Sequence, residues 1–126
     1  MKKRTILVIF VIAVLFMAGC NSTKASARAV SVAKRAISIA DQYLDGELSY
    51  SKASDELDRL KDDMEYVDSV DRSDPSRSYD FAISVDLTLL SHDILMDDID
   101  KSAASYDDVI DTRNKLAADA GLKKRK

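Results

Sequence analysis

Apolar residues recur at alternating spacings of three and four along most of the chain beyond residue 24, which is the period of an amphipathic helix. The stretch from about residue 25 to 44 carries two adjacent rows of this kind. The first row contains Val30, Ala33, Ile37, Ala40 and Leu44, and the second contains Ala29, Val32, Ala36, Ile39 and Tyr43. Two adjacent rows make a broad buried stripe, so we expect this helix to pack against at least two neighbours.

A second helix is predicted over residues 50–70, with a narrower apolar seam. The seam consists of Tyr50, Ala53, Leu57, Leu60, Met64 and Val67. Between the two helices, Gly46 follows Asp45 and is the residue type that most readily adopts the left-handed conformation of a helix end. Ser49 is the expected N-cap of the second helix, since its hydroxyl can accept a hydrogen bond from a free backbone N–H.

The pattern stops around residues 70–77 and resumes in a third helix, predicted over 75–100. Asp74 is its expected cap, and Pro75 suits the first helical position, where the missing N–H is not needed. Its apolar face is predicted from two rows that run side by side. One row contains Ala82, Val85, Leu89, His92, Met96 and Ile99, and the other contains Phe81, Leu87, Leu90, Ile94 and Leu95.

The polar run from Asp97 to Ser102 predicts a break near residues 100–105. Ser105 with Asp108 resembles a capping box and predicts a last helix over 105–120, with Gly121 ending it. The apolar face of that helix contains Tyr106, Val109, Ile110, Leu116 and Ala117. A single bent helix over 78–120, about 60 Å long, is the alternative, but it would overhang helices of about 20 residues.

These elements predict an all-α fold, a small up-down bundle of three to four helices over residues 25–121. The composition agrees, since the chain holds only three Gly and one Pro and has no Trp. Residues 122–126 form a basic tail after the last helix, a position that suits the helix dipole. The same bases could also contact anionic lipid headgroups.

The first twenty residues follow a different pattern. Lys2, Lys3 and Arg4 form a positive start, and Ile6 to Ala18 is an unbroken apolar run of thirteen residues. A helix needs about 20 apolar residues to cross a membrane, so thirteen are too few. The run instead has the length of the apolar region of a cleavable export signal.

The export signal ends in Met17, Ala18, Gly19 and Cys20, a sequence that resembles the lipobox of bacterial lipoproteins. Met17 stands where leucine is usual. The resemblance implies cleavage between Gly19 and Cys20, removal of residues 1–19, and attachment of a diacylglyceryl group and fatty acyl chains such as palmitate to Cys20. Residues 20–24 would then be a lipidated tether to the extracytoplasmic face of the cell membrane. An ordinary signal peptide or an uncleaved short anchor, with Cys20 incidental, is the alternative.

Charge and cysteine content narrow the function further. Residues 20–126 carry sixteen Lys and Arg against twenty-two Asp and Glu, a net charge of −6. An acidic domain lacks the basic face that nucleic-acid binding requires, so no nucleic-acid partner is expected. Cys20 is the only cysteine and excludes an internal disulfide.

Candidate chemistry beyond the anchor is sparse. His92 is the only histidine, which excludes the paired histidines of a helix-bundle metal site. The spacing around Asp41, Asp45 and Gly46 fails the calcium-loop pattern, because Lys52 stands at its twelfth position. No catalytic residue, metal or cofactor is predicted, and the chain is not expected to be an enzyme.

Two functions remain. The main prediction is a non-enzymatic interaction module that binds an envelope protein, or itself, through a bundle face; its candidate anchor residues are Tyr43, Tyr66, Tyr79 and Phe81. The alternative is a lipoprotein that binds a small ligand or divalent cation through the acidic 93–111 region. That region contains Asp93, Asp97, Asp98, Asp100, Asp107, Asp108 and Asp111. Beyond residue 20 the chain resembles small helical bacterial lipoproteins of unassigned activity, and the oligomeric state stays open.

Overall fold

The chain folds into a bundle of four α-helices. The computed structural model describes residues 25–68 and 76–126, with the side chains of all these residues except 65–68. The helices are α1 (Ala27–Leu44), α2 (Tyr50–Asp68), α3 (Arg77–Asp100) and α4 (Ala103–Asp119). No strand occurs within the two described ranges. The prediction of a small all-α bundle is therefore confirmed.

The broad apolar stripe of α1 packs against all three other helices. α1 contacts α2, α3 and α4, and α3 likewise contacts each of the other helices. Ala29, Ala33, Ala36 and Ala40 are fully buried on α1. Because alanine is small, a row of alanines lets neighbouring helices approach closely. The prediction that this helix packs against at least two neighbours is confirmed.

The turn between α1 and α2 forms as its residue types predict. Gly46 has a φ of 75°, in the left-handed region, and the Lys52 N–H points at the Ser49 hydroxyl at 3.5 Å. At the other end of α1, the Ser26 hydroxyl accepts a hydrogen bond from the Ala29 N–H at 3.2 Å. Side chains thus satisfy helix-end N–H groups that have no partner inside their own helix.

The break between α3 and α4 lies in the predicted interval, but its capping residues differ from the prediction. The helix begins at Ala103, and Ser102, rather than Ser105, is its N-cap. The Ser102 hydroxyl accepts from the Ser105 N–H, and the Ser105 hydroxyl accepts from the Ser102 N–H, both at 3.1 Å. Asp108 has no part in this capping box. Lys101, with a φ of 51°, turns the chain at the end of α3.

One boundary in the middle of the chain also differs from the prediction. α3 begins at Arg77 and not at residue 75, whereas α2 is described as far as Asp68 and its predicted end at residue 70 lies outside the described residues. The proposed cap of α3, Asp74 with Pro75, lies outside the described residues. The expected end of α4 at Gly121 agrees with the structure, since Gly121 has a φ of 70° and directly follows the last helical turn.

The two apolar rows predicted for α3 differ in burial. Leu87, Leu90 and Ile94 of the second row are fully buried, but the prediction that Phe81 belongs with them is wrong, since Phe81 is 57% exposed. Ile83 and Asp86, which belonged to neither predicted row, are also fully buried. The row through Val85, Leu89, Met96 and Ile99 is exposed, so the prediction that it belongs to the buried face is wrong. Leu87 and Leu89 are two residues apart, which is about 200° around a helix. The two rows therefore lie on opposite sides of α3.

Candidate functional site: an exposed apolar face on α3

The outward side of α3 carries a row of five apolar side chains and one histidine, which we call the α3 face. It consists of Phe81, Val85, Leu89, His92, Met96 and Ile99. Their spacings of four, four, three, four and three keep them on one side of the helix. The exposed fractions of the apolar members range from 38% for Val85 to 68% for Ile99. The α3 face is thus a real surface feature that water contacts along the length of the helix.

The α3 face contains no charged residue, unlike the outward sides of the other helices. The residues flanking the face on α3 are small, polar or apolar: Ser78, Ala82, Thr88 and Leu95. The charged residues that border it are Arg77 and Asp100 near its ends and Asp93, which follows His92 near its middle. The outward side of α2 shows the opposite character, with six exposed charged residues. These are Lys52, Asp55, Glu56, Asp58, Arg59 and Asp62.

The size of the α3 face separates it from ordinary surface leucines. A large apolar side chain has roughly 150–200 Å² of surface, so half-exposed members leave on the order of 400 Å² of apolar area in water. Patches of this size on a monomer often mark a binding surface. Interfaces are also poor in charge at their centres, as this face is.

The predicted aromatic anchor residues separate into two groups. Phe81 lies on the α3 face, and Tyr79 is exposed nearby at 41%. Tyr43 is half-buried instead, and its hydroxyl donates to the Asp97 carboxylate at 2.8 Å. Burial and the neighbouring Asp97 raise the pKa of Tyr43. The side chain of Tyr66 lies outside the described residues.

The acidic residues of the 93–111 region do not converge on one point. Asp93 accepts from Thr112, at 2.5 Å. Asp97 accepts from Tyr43 and Ser105, and Asp98 pairs with Lys101 at 3.7 Å. In the part of the chain that the structure describes, no three acidic, histidine or cysteine side chains form a group that could hold a metal ion.

A buried carboxylate on α3 was not anticipated from the sequence. Asp86 is fully buried and accepts a hydrogen bond from Lys115 of α4 at 2.5 Å. Its second oxygen has no hydrogen-bond partner among the described residues. Burial, with a smaller contribution from Asp119, raises the pKa of Asp86 to about 6, against the opposing effect of Lys115. The only hint in the sequence is that an acid interrupts an apolar run.

The predicted basic tail packs against the bundle. Arg125 donates to Asp45 at 2.7 Å and to Asp41 at 3.3 Å. The backbone of Arg125 also exchanges two hydrogen bonds with the Asn114 side chain, and Leu122 lies against the core. Lys123, Lys124 and Lys126 remain exposed. One of the four bases is thus used to hold residues 122–126 on α1 and α4.

The proposed lipidation site lies outside the described residues, as do Met17, Ala18 and Gly19. The structure does show where the chain from Cys20 joins the bundle. The Ser26 N–H donates to the Asp80 carboxylate in the first turn of α3 at 2.8 Å. Of the helices in the described ranges, none combines the length and apolar character needed to cross a membrane.

In comparisons with known proteins, no family model, curated protein or solved structure matches the chain.

Proposed function

We propose that the chain is a lipid-anchored protein of the bacterial cell envelope, whose helical domain works as a non-enzymatic interaction module. In this proposal, cleavage before Cys20 and acylation of its thiol attach the domain to the extracytoplasmic side of the cell membrane. The α3 face then supplies the contact with a protein partner. The observation that carries the module is the exposed, uncharged α3 face.

The N-terminal sequence supports the anchor. A thirteen-residue apolar run preceded by three bases has the form of an export signal. Acylation has a clear physical purpose here, because one acyl chain holds a protein only weakly on a membrane and two or more hold it firmly. The bundle itself supplies no spanning helix among its described residues.

The anchor is tested with the full chain produced in a bacterium. The natural chain should be found in the membrane fraction, and its mass should show loss of residues 1–19 and addition of a diacylglyceryl group at Cys20. Cys20→Ser should accumulate as the unprocessed precursor, because the modified cysteine is what allows cleavage. Met17→Leu, which restores the usual lipobox residue, is the matched control and should be processed like the natural chain. An unmodified Cys20 on the natural chain would refute the anchor.

The interaction module is tested by photo-crosslinking from the bundle surface in the same cells. A photoreactive residue in place of Val85 should give an adduct with another protein, whereas one in place of Ala118, which is exposed on α4, should not. Leu89→Glu should abolish the adduct by placing a charge in the centre of the apolar contact. Equal adducts from both positions would show that the α3 face has no special role.

Binding of a divalent cation by the 93–111 region is the weaker alternative. It predicts that millimolar calcium, magnesium or zinc raises the melting temperature, since a ligand that binds only the folded state stabilises it. Asp93, Asp97 and Asp98 of this region are instead held by hydroxyl groups and lysine of the bundle. This arrangement favours the interaction module.

A further inference from the structure

The spacing between successive residues of the α3 face is nearly the same when it is read from the N-terminus and from the C-terminus of the helix. Its members lie nearly symmetrically about a point between Leu89 and His92. If a second α3 is placed alongside in the opposite direction about that point, Phe81 meets Ile99 of the second copy. Val85 then meets Met96 of the second copy. The apolar row would be covered along its whole length by one identical row, which is the property of a two-fold symmetric contact.

The charges at the two ends of the face select the antiparallel direction. Arg77 lies at the start of α3, and Asp100 lies at its end. In an antiparallel pair, Arg77 of one copy approaches the acidic end of the other, where Asp100 is located. In a parallel pair, Asp100 would face Asp100 and Arg77 would face Arg77, and like charges in contact oppose association.

From these observations we infer that the α3 face binds a second copy of this chain, with the two α3 helices antiparallel and the two-fold axis passing between Leu89 and His92. This inference rests on the proposed interaction module and names its partner. Each copy thereby covers the apolar row of the other, and Leu89 and His92, with Asp93 at their border, lie at the centre of the interface.

The area is small for a stable dimer in dilute solution. The apolar row of each copy, together with its rim of Ser78, Ala82, Thr88 and Leu95, gives roughly 1,200 Å² buried in total, the lower limit for specific interfaces. Attachment to one membrane raises the local concentration of copies, and this increases the dimerised fraction without any additional contact between the two copies. The pair should therefore form in the membrane at copy numbers that would leave free protein monomeric.

A lipid surface is a less suitable occupant of the α3 face. Helices that lie on membranes carry lysine and arginine beside the apolar side, where anionic headgroups attract them. Between residues 78 and 100, α3 has no lysine or arginine, and Asp93 and Asp100 border the face. Another protein could match the apolar row, but a second copy offers a row of the same length and reversed spacing together with the opposite charge at each end.

The test is cross-linking of the full chain in intact bacterial cells with a short bifunctional maleimide. A chain carrying both Phe81→Cys and Ile99→Cys should form a covalent dimer, since the antiparallel arrangement places residue 81 opposite residue 99 of the second copy. Each single substitution should form little dimer, because two residues 81 would lie about 27 Å apart along the helices. The natural chain gives the background from any unmodified Cys20.

Controls separate this geometry from random collision. A chain with Lys52→Cys and Arg59→Cys, two exposed positions of α2, should link no more than the natural chain. Adding Leu89→Glu to the Phe81→Cys, Ile99→Cys chain should reduce the covalent dimer at least several-fold, whereas adding Ala118→Glu should not. Circular dichroism of each purified variant checks that its helix content is unchanged.

Each outcome decides the inference. Dimer from the single substitutions in the same amount as from the double would show a parallel or disordered contact and overturn it, and absence of dimer from the double would also overturn it. If the double fails to link while Cys20 carries its lipid, the pairing is refuted and the anchor stands. If the double links while Cys20 is unmodified, the anchor is refuted and the pairing stands.

Discussion

Arg113 of α4 donates two hydrogen bonds to the carboxylate of Asp41 on α1, at 3.0 Å and 2.9 Å. Its side chain is only 8% exposed, and it also donates to the backbone carbonyl of Lys123 at 3.0 Å. A flat guanidinium that grips a carboxylate with two parallel bonds fixes both distance and orientation. This pair therefore sets how the last helix, and the residues that follow it, close onto the first.

Replacement of Arg113 by Met should lower the free energy of unfolding by about 2–3 kcal/mol, because the half-buried Asp41 loses its principal partner. Arg125 also contacts Asp41 and keeps the loss below that of a fully isolated charge. The measurement is urea unfolding followed by circular dichroism. Arg35→Met is the control, since Arg35 pairs with Asp63 on the exposed surface at 3.8 Å and such pairs contribute little. Equal effects of the two substitutions would contradict this account.

Asp86→Asn should stabilise the bundle at neutral pH. The pKa of Asp86 is raised to about 6 in the folded state, so folding favours its protonated form. Its stabilising contribution is complete below the unfolded pKa near 4 and is lost as the pH rises through about 6. Asparagine resembles the protonated form at every pH, so we expect a gain of about 1–2 kcal/mol at pH 7 that disappears near pH 4.

The comparison of unfolding at pH 4 and pH 7 isolates this effect. Asp108→Asn, at an exposed position of α4, should change stability little at either pH. A loss of stability in Asp86→Asn at pH 7 would show that the hydrogen bond with Lys115 outweighs the burial of the charge.

Ser102→Ala should cost about 1 kcal/mol of stability, the usual effect of removing an N-cap hydroxyl. Asp108→Ala should cost little, although the sequence pattern assigned that residue to the capping box. Thermal unfolding of the two variants compares them directly. A larger loss for Asp108→Ala would place the start of α4 near residue 105 and contradict the observed cap.

Leu90→Ala should destabilise the fold by about 2–5 kcal/mol, since it leaves a cavity in the core. The neighbouring Leu89→Ala should have an effect within about 1 kcal/mol, because Leu89 is 43% exposed. Chemical denaturation of both variants in the monomeric state tests which of the two apolar rows of α3 is buried and which is exposed. Similar losses would mean that Leu89 is as well packed as Leu90.

The helical periodicity was enough to predict a bundle of three to four helices, and residue types added the turn at Gly46 and a break near residues 100–105. It could not tell which apolar row of α3 faces inward, because a helix with apolar residues on opposite sides gives no single buried direction. Leu87 and Leu89 are the same residue type two positions apart, and only the neighbouring helices distinguish them. The exposed row was consequently assigned to the core.

The polar contacts between different helices also could not be predicted from local sequence patterns. Asp41 and Arg113 are 72 residues apart, and Asp86 and Lys115 are 29 apart. Short-range rules of charge spacing apply within one helix, so they give no signal for such pairs. The capping box was predicted three residues too late because a serine stands at both positions 102 and 105.

The contact between Ser26 and Asp80 determines how an anchored pair would sit on the bilayer. It places the start of the bundle beside the start of α3, so in an antiparallel pair the two attachment points lie at opposite ends of helices about 36 Å long. The stretch from Cys20 to Ala25 can reach at most about 17 Å, too little for one end to stand far above the surface. The pair would therefore lie with its long axis parallel to the membrane plane, and its two lipid anchors would be separated along that axis.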